Sequence, residues 1–511
     1  MIKIVNYKKR VIYLIFIISI FRLIIANCFE LGNDESYYWV YSQYLQWNYF
    51  DHPPMVAIWL RIFTGNLLLQ NHLLFLRLGS VVSAAFSSWF MYKCVAEIST
   101  QKSAWIAVCL YNASFYAGVT AGIFVMPDAP QMVFWTFSMW MITKITHEVQ
   151  NWKWWILLGT SLGLCVMSKV HGVYLWGGIG LYILFFKQKL LKNPRLYVAI
   201  LISLVILSPI IIWNIQNDFV TYRFHSERII IHGYVFNINN FLVECLGEFL
   251  VNNPINIILI ITALIFKNKI KEIGFGAIRV FTLAGISLII VVLFLALFRD
   301  TRPIWSGPGF ISLIPFTAIW LDQNEINLLK YLRKTTLVIY LLGILLLLYF
   351  INNIHGTTGS KKPGILGKGD ITLDMYGWEK AGKSFDSLYT TAINKGEIAK
   401  GTPLVCNTWW GAHEEYYFCR PLKIEMIGLG SMMDLHQYLW TNKKRQALVN
   451  MNSAYCIVHS DENFNVLTSF GAYYNNLDTI QTIPIMRKNV ISHYFYIIKL
   501  SGWKNKIPVA Y

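Results

Sequence analysis

The chain has 511 residues, of which 55% are hydrophobic and 14% charged, with a mean hydropathy of +0.46; this is too apolar for a soluble multidomain enzyme. Its formal charge of +17 comes as short basic clusters between apolar runs, the pattern of loops that meet anionic lipid rather than nucleic acid. The composition is that of a polytopic membrane protein.

In chain order, MIKIVNYKKR and the apolar run Val11–Phe29 read as a retained first helix: the run is longer than the core of a signal peptide, and more runs follow. Gly32 to Pro54, GNDESYYWVYSQYLQWNYFDHPP, then places Asp34, Glu35, Asp51 and His52 among Tyr, Trp and Phe residues. Interleaved aromatic rings are what a chain sets at headgroup depth, and carboxylates beside a membrane are costly unless used. The plainer alternative is a helix start capped by Asn33 or Asp34, with DHPP as a turn.

Counting runs of about 17 to 22 mostly apolar residues gives about eleven spans, from Val11–Phe29 to Thr336–Ile351. With the N-terminus inside, alternation puts every basic cluster in the cytoplasm, from Lys8, Lys9 and Arg10 to Lys330, Arg333 and Lys334, with Lys267, Lys269 and Lys271 among them. The opposite loops carry Asp34, Glu35, Asp51, His52, Asp128, Asp218, Arg223 and Glu227, so the groups suited to chemistry share the outer face. Two outer loops, 30–71 and 214–253, are long enough to roof the bundle.

Asp128, in MPDAP, is a further acid at the outer end of a run, or the N-cap of the next helix. Lys169, in VMSKVHGVYLW, breaks two runs on the side where Lys is scarce, so it is expected to meet an anion; the alternative is snorkelling to headgroups. Arg223 and Arg228 add cations to that face, unless Arg223 only pairs with Glu227 along a surface helix. Glu244 and Glu248 lie one turn apart in an amphipathic stretch suited to the interface.

Beyond Ile351 the composition changes. Residues 1–354 form the membrane domain, 355–375 a Gly, Lys and Ser-rich linker, and 376–511 a small α/β domain outside the cytoplasm, with strands expected at 404–407, 424–427, 454–459 and 494–500 and helices at 409–418 and 434–442. In that domain Cys406 and Cys419 are candidates for a disulfide, and no metal-type Cys spacing occurs in the chain.

A base carboxylate, a cation for a phosphate and aromatic surface around them suit group transfer from a lipid phosphate. A transporter or flippase of polyprenyl-linked or anionic substrates is the alternative, but it would want its charges in mid-span.

At DESYYW with FDHPPMVA, LRLGS, MPDAP and MSKVHGV, the chain resembles the membrane-embedded GT-C glycosyltransferases of bacteria, in the group of dolichyl-phosphate-mannose protein mannosyltransferases and lipid A aminoarabinose transferases (family 39-like). SPIIIWNIQNDFVTYRF looks like a further family segment, and DITLDMYGW and DLHQYLW are weaker echoes of the soluble domain some members carry. The resemblance implies a GT-C fold of helical membrane type, an undecaprenyl- or dolichyl-phosphate sugar donor, and inverting single-displacement transfer to a lipid, glycan or protein hydroxyl outside the plasma (inner) membrane. By resemblance Asp34 matches the catalytic acid, with Glu35 beside it and Asp128 as a second acid; Asp51 and His52 match the donor-site pair and Lys169 a phosphate-facing lysine, with Arg223 a further donor-binding candidate. Around Trp305 the chain departs from the family's His-Trp-Pro pattern. No cofactor or metal is required by this chemistry, although Asp34, Asp51 and His52 have the donors for a divalent ion.

Overall fold

The computed structural model describes residues 6–229, 236–266, 275–324, 327–446, 451–462 and 464–505. The Lys267, Lys269 and Lys271 cluster and the side chains of Arg228, Lys330, Arg333 and Lys334 lie outside the described residues. Contacts divide the chain into two compact units, Met1–Ala26 with Gln46–Ile344, and Asn27–Leu45 with Leu345–Tyr511.

The first unit is helical. Its helices are α1 (Tyr7–Ala26), then, past α2 (Asn33–Gln43) of the second unit, α3 (Met55–Phe63), α4 (Leu73–Ile98), α5 (Gln101–Ala113), α6 (Asp128–His147), α7 (Trp152–Ser168), α8 (Val173–Phe186), α9 (Pro194–Gln216), α10 (Val220–Ile229), α11 (Ile238–Val251), α12 (Pro254–Ile265), α13 (Phe275–Ala296) and α14 (Gly307–Gln323). The division falls inside α15 (Asn327–Asn352). The apolar runs read from the sequence are largely helical, but among the described residues only Leu73–Ile98, Pro194–Gln216 and Gly276–Ala296 are long and apolar enough to cross a membrane, with a fourth if Ile238–Val251 and Pro254–Ile265, bent by 99°, count as one span. The count of eleven therefore does not carry over. Some runs are too short, α5 with 13 residues and α12 with 12 against the roughly 20 that a bilayer core needs, while α1 and α6, with 20 residues each, carry too many charged or polar residues.

Small and hydroxyl side chains bring these helices together. A Cβ on Gly159 of α7 would stand 2.4 Å from the Ala199 carbonyl oxygen of α9, and the Ser203 hydroxyl donates to the Gly159 carbonyl at 2.6 Å. Ser138 of α6 and Ser161 of α7 bond at 2.7 Å. Such contacts replace the hydrophobic effect where the solvent is lipid.

Two buried features pin the segment between α5 and α6. Arg22 of α1 donates to the Gly118 carbonyl and to Asn112 Oδ1, both at 3.1 Å, and the Ser80 hydroxyl of α4 donates to the Phe124 carbonyl at 2.6 Å. A buried guanidinium left unpaired would cost several kcal/mol, on the order of 3–5, so these bonds hold the segment firmly. The residues that follow it begin the candidate site.

The second unit is a five-stranded mixed sheet in the order β2-β1-β3-β5-β4, from β1 (Leu404–Cys406), β2 (Met426–Gly428), β3 (Ser453–His459), β4 (Tyr474–Arg487) and β5 (Val490–Trp503). β1 runs parallel to both β2 and β3, whereas β5 is antiparallel to β3 and β4. The helix α16 (Trp378–Asn394) buries Trp378, Ala381, Phe385, Tyr389 and Ala392, a stripe at helical spacing. The helix expected at 409–418 is helical throughout, running on to Leu422 with changing pitch, whereas the one expected at 434–442 is interrupted at His436 and Gln437; Cys406 and Cys419 are buried and free rather than disulfide-bonded. The segment read as a linker is tied to the sheet: Gly356 N–H donates to the Arg487 carbonyl at 3.0 Å and Ser460 Oγ to the Leu366 carbonyl at 2.7 Å.

The helix α2 belongs to this second unit. Leu31 N–H donates to Tyr417 Oη at 2.6 Å, His413 Nε2 donates to the Leu31 carbonyl at 2.8 Å, and Gln437 N–H donates to Tyr37 Oη at 3.2 Å. The segment 30–71 is thus divided at Leu45, and its two pairs of ionisable residues fall in different units.

Candidate functional site

In the first unit, Pro127 takes the cap position of α6, so Asp128 is the first residue of the helix and not its cap. The α7 helix ends at Ser168 and Lys169 turns to extended backbone (φ −158°, ψ 138°), because the next residues enter a short turn that only Gly172 fits: a Cβ there would lie 2.7 Å from the Val166 nitrogen. Lys169 Nζ thereby reaches both Asp128 oxygens at 2.9 Å, and Tyr116 Oη donates to Asp128 Oδ1 at 2.7 Å. Asp128 and Lys169 are both buried. The lysine neither snorkels nor stays solvated.

Desolvating such a pair costs several kcal/mol per ion before their attraction is counted, so well-packed apolar residues would serve stability as well or better. A buried ammonium held by one carboxylate is instead suited to exchange partners with an incoming anion.

Asp51 and His52 are held by α10. The His225 Nε2–H donates to the Asp51 carbonyl at 2.9 Å, Thr221 Oγ1 donates to the Tyr49 carbonyl at 3.1 Å, and the Phe50 and Phe224 rings lie 4.6 Å apart. Burial lowers the His52 pKa to about 4, opposed by Asp51 and reinforced by the positive charge of Lys169. His52 is therefore neutral at physiological pH, a hydrogen-bonding group and not a cation. His171 joins the same electrostatic neighbourhood, with its ring 6.4 Å from that of Trp305. Arg223 is exposed on α10. Glu244 and Glu248 are buried while Leu242, Val243, Leu246 and Leu250 of the same helix are exposed, and Glu244 Oε2 accepts from Thr301 Oγ1 at 2.7 Å.

In the second unit, Asp34 lies exposed in the first turn of α2, while Glu35 is buried and accepts from Gly32 N–H at 3.0 Å. Gly32 is the residue at the cap position, so neither Asn33 nor Asp34 caps the helix. Asn33 N–H donates to both Asp374 oxygens at 3.3 Å. Desolvation pushes the Asp374 carboxyl up to about 6, opposed by that bond, with the charges of Asp34 and Glu35 adding to the rise. Asp374 and the α2 acids form one acidic group within this unit.

Sequence reading missed Tyr116, His171, His225 and Asp374. His171 and His225 each stand two residues beyond a cation already singled out, and Asp374 lies in DITLDMYGW, so each had a positional signal; Tyr116, inside an apolar run, had none. Among the described residues, no group of three or more His, Cys, Asp or Glu is arranged to hold a metal ion. Of the three donors considered for a divalent ion, Asp34 belongs to the second unit and Asp51 and His52 to the first.

Residues 51–213 match the family model described as dolichyl-phosphate-mannose-protein mannosyltransferase. The lipid A galacturonosyltransferase RgtD of Rhizobium johnstonii is 22% identical over 214 residues, 41% of this chain and 44% of the relative, so the chain matches less than half the length of that curated relative. Among solved structures, ArnT from Cupriavidus metallidurans in the apo state is similar with a TM-score of 0.57 at 11% identity, over 96% of this chain and 98% of that one. The same enzyme bound to undecaprenyl phosphate gives 0.58 at 11% identity, over 96% and 99%. The fold is that of ArnT, a helical part followed by a small C-terminal sheet domain.

Proposed function

We propose that this chain, which carries the GT-C fold, is an integral membrane glycosyltransferase that moves a sugar from a polyprenyl-phosphate donor to a hydroxyl of a lipid, glycan or protein on the outer face of the membrane, inverting the anomeric carbon in a single displacement. The observation that carries the reading is the buried Lys169 ammonium clamped by Asp128, which Tyr116 holds in turn. It supplies a desolvated cation for the charge that grows on a departing lipid phosphate. The undecaprenyl phosphate complex of a protein with the same fold supports that class of donor.

In this reaction the acceptor oxygen attacks C1 of the sugar as the bond from C1 to the phosphate oxygen breaks. The acceptor proton passes to a carboxylate, for which Asp34 is our assignment, with Glu35 setting the helix start behind it. The electron pair of the broken bond leaves on the lipid phosphate, where Lys169 meets it as Asp128 yields its place. Asp51 and neutral His52 contribute to the donor's surroundings, Asp128 returns the lysine to its resting pair, and exposed Arg223 is available to a headgroup. No cofactor is required in this scheme. The relative's name specifies lipid A, which makes lipid A the first acceptor to try.

The test is turnover. Membranes containing the protein, given an undecaprenyl-phosphate sugar and lipid A, should release undecaprenyl phosphate and yield glycosylated lipid A. Movement of the intact donor across the bilayer without bond cleavage would favour the transporter reading instead.

A further inference from the structure

The second unit has a feature that transfer from a lipid phosphate leaves unused. Its strands β1, β2 and β3 run parallel, and the segments that leave their carboxyl ends, Asn407–Trp410, Met433–Asp434, and Glu462 with Phe464–Ser469, line one open cleft of about 570 Å³. In α/β sheets that edge is where ligands bind, because strand ends deliver loops from several directions to one place. The volume lies in the range of about 300–1,000 Å³ that small-molecule sites occupy.

The lining is specific in its chemistry. Trp409 is fixed from behind, its ring stacked on His436 at 5.7 Å and 6° and set 5.0 Å from the Tyr37 ring. Trp410 stands nearly perpendicular to it, at 74° and 5.9 Å, and stays 48% exposed. An indole that a fold could bury is left half in water. Beside the two indoles are carboxamides, of which Asn407 Nδ2 donates to Ser469 Oγ at 3.0 Å and Asn465 Oδ1 accepts from Thr468 N–H at 3.1 Å, which fixes both. Asp434 and Glu462 add two carboxylates, of which Glu462 Oε1 is paired with His459 Nε2 at 3.3 Å, and among the described lining residues there is no Lys, Arg or His.

A pyranose has an apolar C–H face and a rim of hydroxyl groups, which pair respectively with an exposed indole and with fixed amides and carboxylates. Asp434, a carboxylate at an exposed position with no cation among the described lining residues, repels uronates and attracts an ammonium group. We propose that the second unit carries a saccharide-binding cleft, selective for neutral and amine-bearing sugars over acidic ones, and that the glycan of the acceptor docks there. Assigning the saccharide to the acceptor rests on the transferase reading; the binding itself does not.

The purified full-length protein in detergent tests this by titration with three tetrasaccharides: the glucosamine tetramer, cellotetraose and tetragalacturonate. The first two should bind saturably and the third should not. Trp410→Ala should weaken both by about tenfold or more, as loss of an aromatic anchor does. Asp434→Asn, at an exposed position, should lower the preference for the glucosamine tetramer over cellotetraose. The proposal is overturned if wild-type protein binds none of the three, if tetragalacturonate binds as tightly as the others, if Trp410→Ala binds like wild type, or if an unglycosylated peptide displaces the sugars. Saccharide binding without donor turnover would sink the transferase reading alone, and turnover without saccharide binding would sink this proposal alone.

Discussion

At the scale of single residues, the contacts of Lys169 decide what its loss should do. Lys169→Ala removes the cation and leaves Asp128 buried with Tyr116 alone, so transfer should fall about tenfold to a hundredfold in kcat/KM, equivalent to about 1.5–3 kcal/mol for a charge-assisted bond. Lys169→Arg should lose less. A Lys169→Ala enzyme as active as wild type would reduce the pair to a structural one. Asp34→Asn separates base from surface acid: the residue is exposed and does not cap α2, so Asn should leave folding intact while transfer drops about a hundredfold to ten-thousandfold. More than about a tenth of wild-type transfer in that variant would remove Asp34 from the chemistry.

A pH prediction belongs to the second unit. Burial opposes the charge on His459, but Glu462 and the hydrogen-bonded Asp461 outweigh it and raise the imidazole to about 9; burial raises Glu414 to about 8. An unfolded chain has released the Glu414 proton well below about pH 6.5 and is half-way through releasing the His459 proton there. The folded unit holds more protons from there to about pH 9, so its stability should be greatest below that window and fall as pH rises through it. Thermal unfolding of the full-length protein at pH 6.5 and 9 checks this: the drop in Tm should be larger in wild type than in His459→Gln. Equal drops would remove His459 as the cause.

At the scale of elements, the clamp depends on how α14 starts. A Cβ on Gly307 would stand about 2.5 Å from the Tyr116 ring, so Gly307→Ala must push that ring, and its hydrogen bond to Asp128, out of place. Overpacking of this kind costs about 1–3 kcal/mol. Transfer by Gly307→Ala should resemble that of Tyr116→Phe, and the double variant should be little worse than either, since both act through one bond. Additive losses would mean that Gly307 matters for another reason. The amphipathic helix α16 and strand β4 show where local reading stops. β4 alternates poorly, with a polar stretch from Asn475 to Thr482, and it is a strand because β5 pairs with it along most of its length.

At the scale of the whole molecule, sidedness is open to direct test. A reporter fused after Lys192 should be cytoplasmic and one fused after Tyr511 should lie outside, as the distribution of Lys and Arg demands. A cytoplasmic C-terminal reporter would put the sheet domain, and Asp34 with it, on the wrong side for an outer-face donor.

The sequence by itself determined the apolar runs, the change of composition after Ile351 and the candidate acids and cations, because hydropathy, charge and turn residues act locally and can be read along one dimension. The apolar runs are largely helical, since a helix satisfies the backbone of an apolar segment internally. Only the tertiary structure decided that Lys169 meets Asp128 across 41 residues, that Tyr116 completes the pair, and that α2 joins a sheet domain more than 300 residues further on. Those pairings depend on helix rotation and on backbone approach at Gly172 and Gly307, quantities that no local pattern of residues encodes.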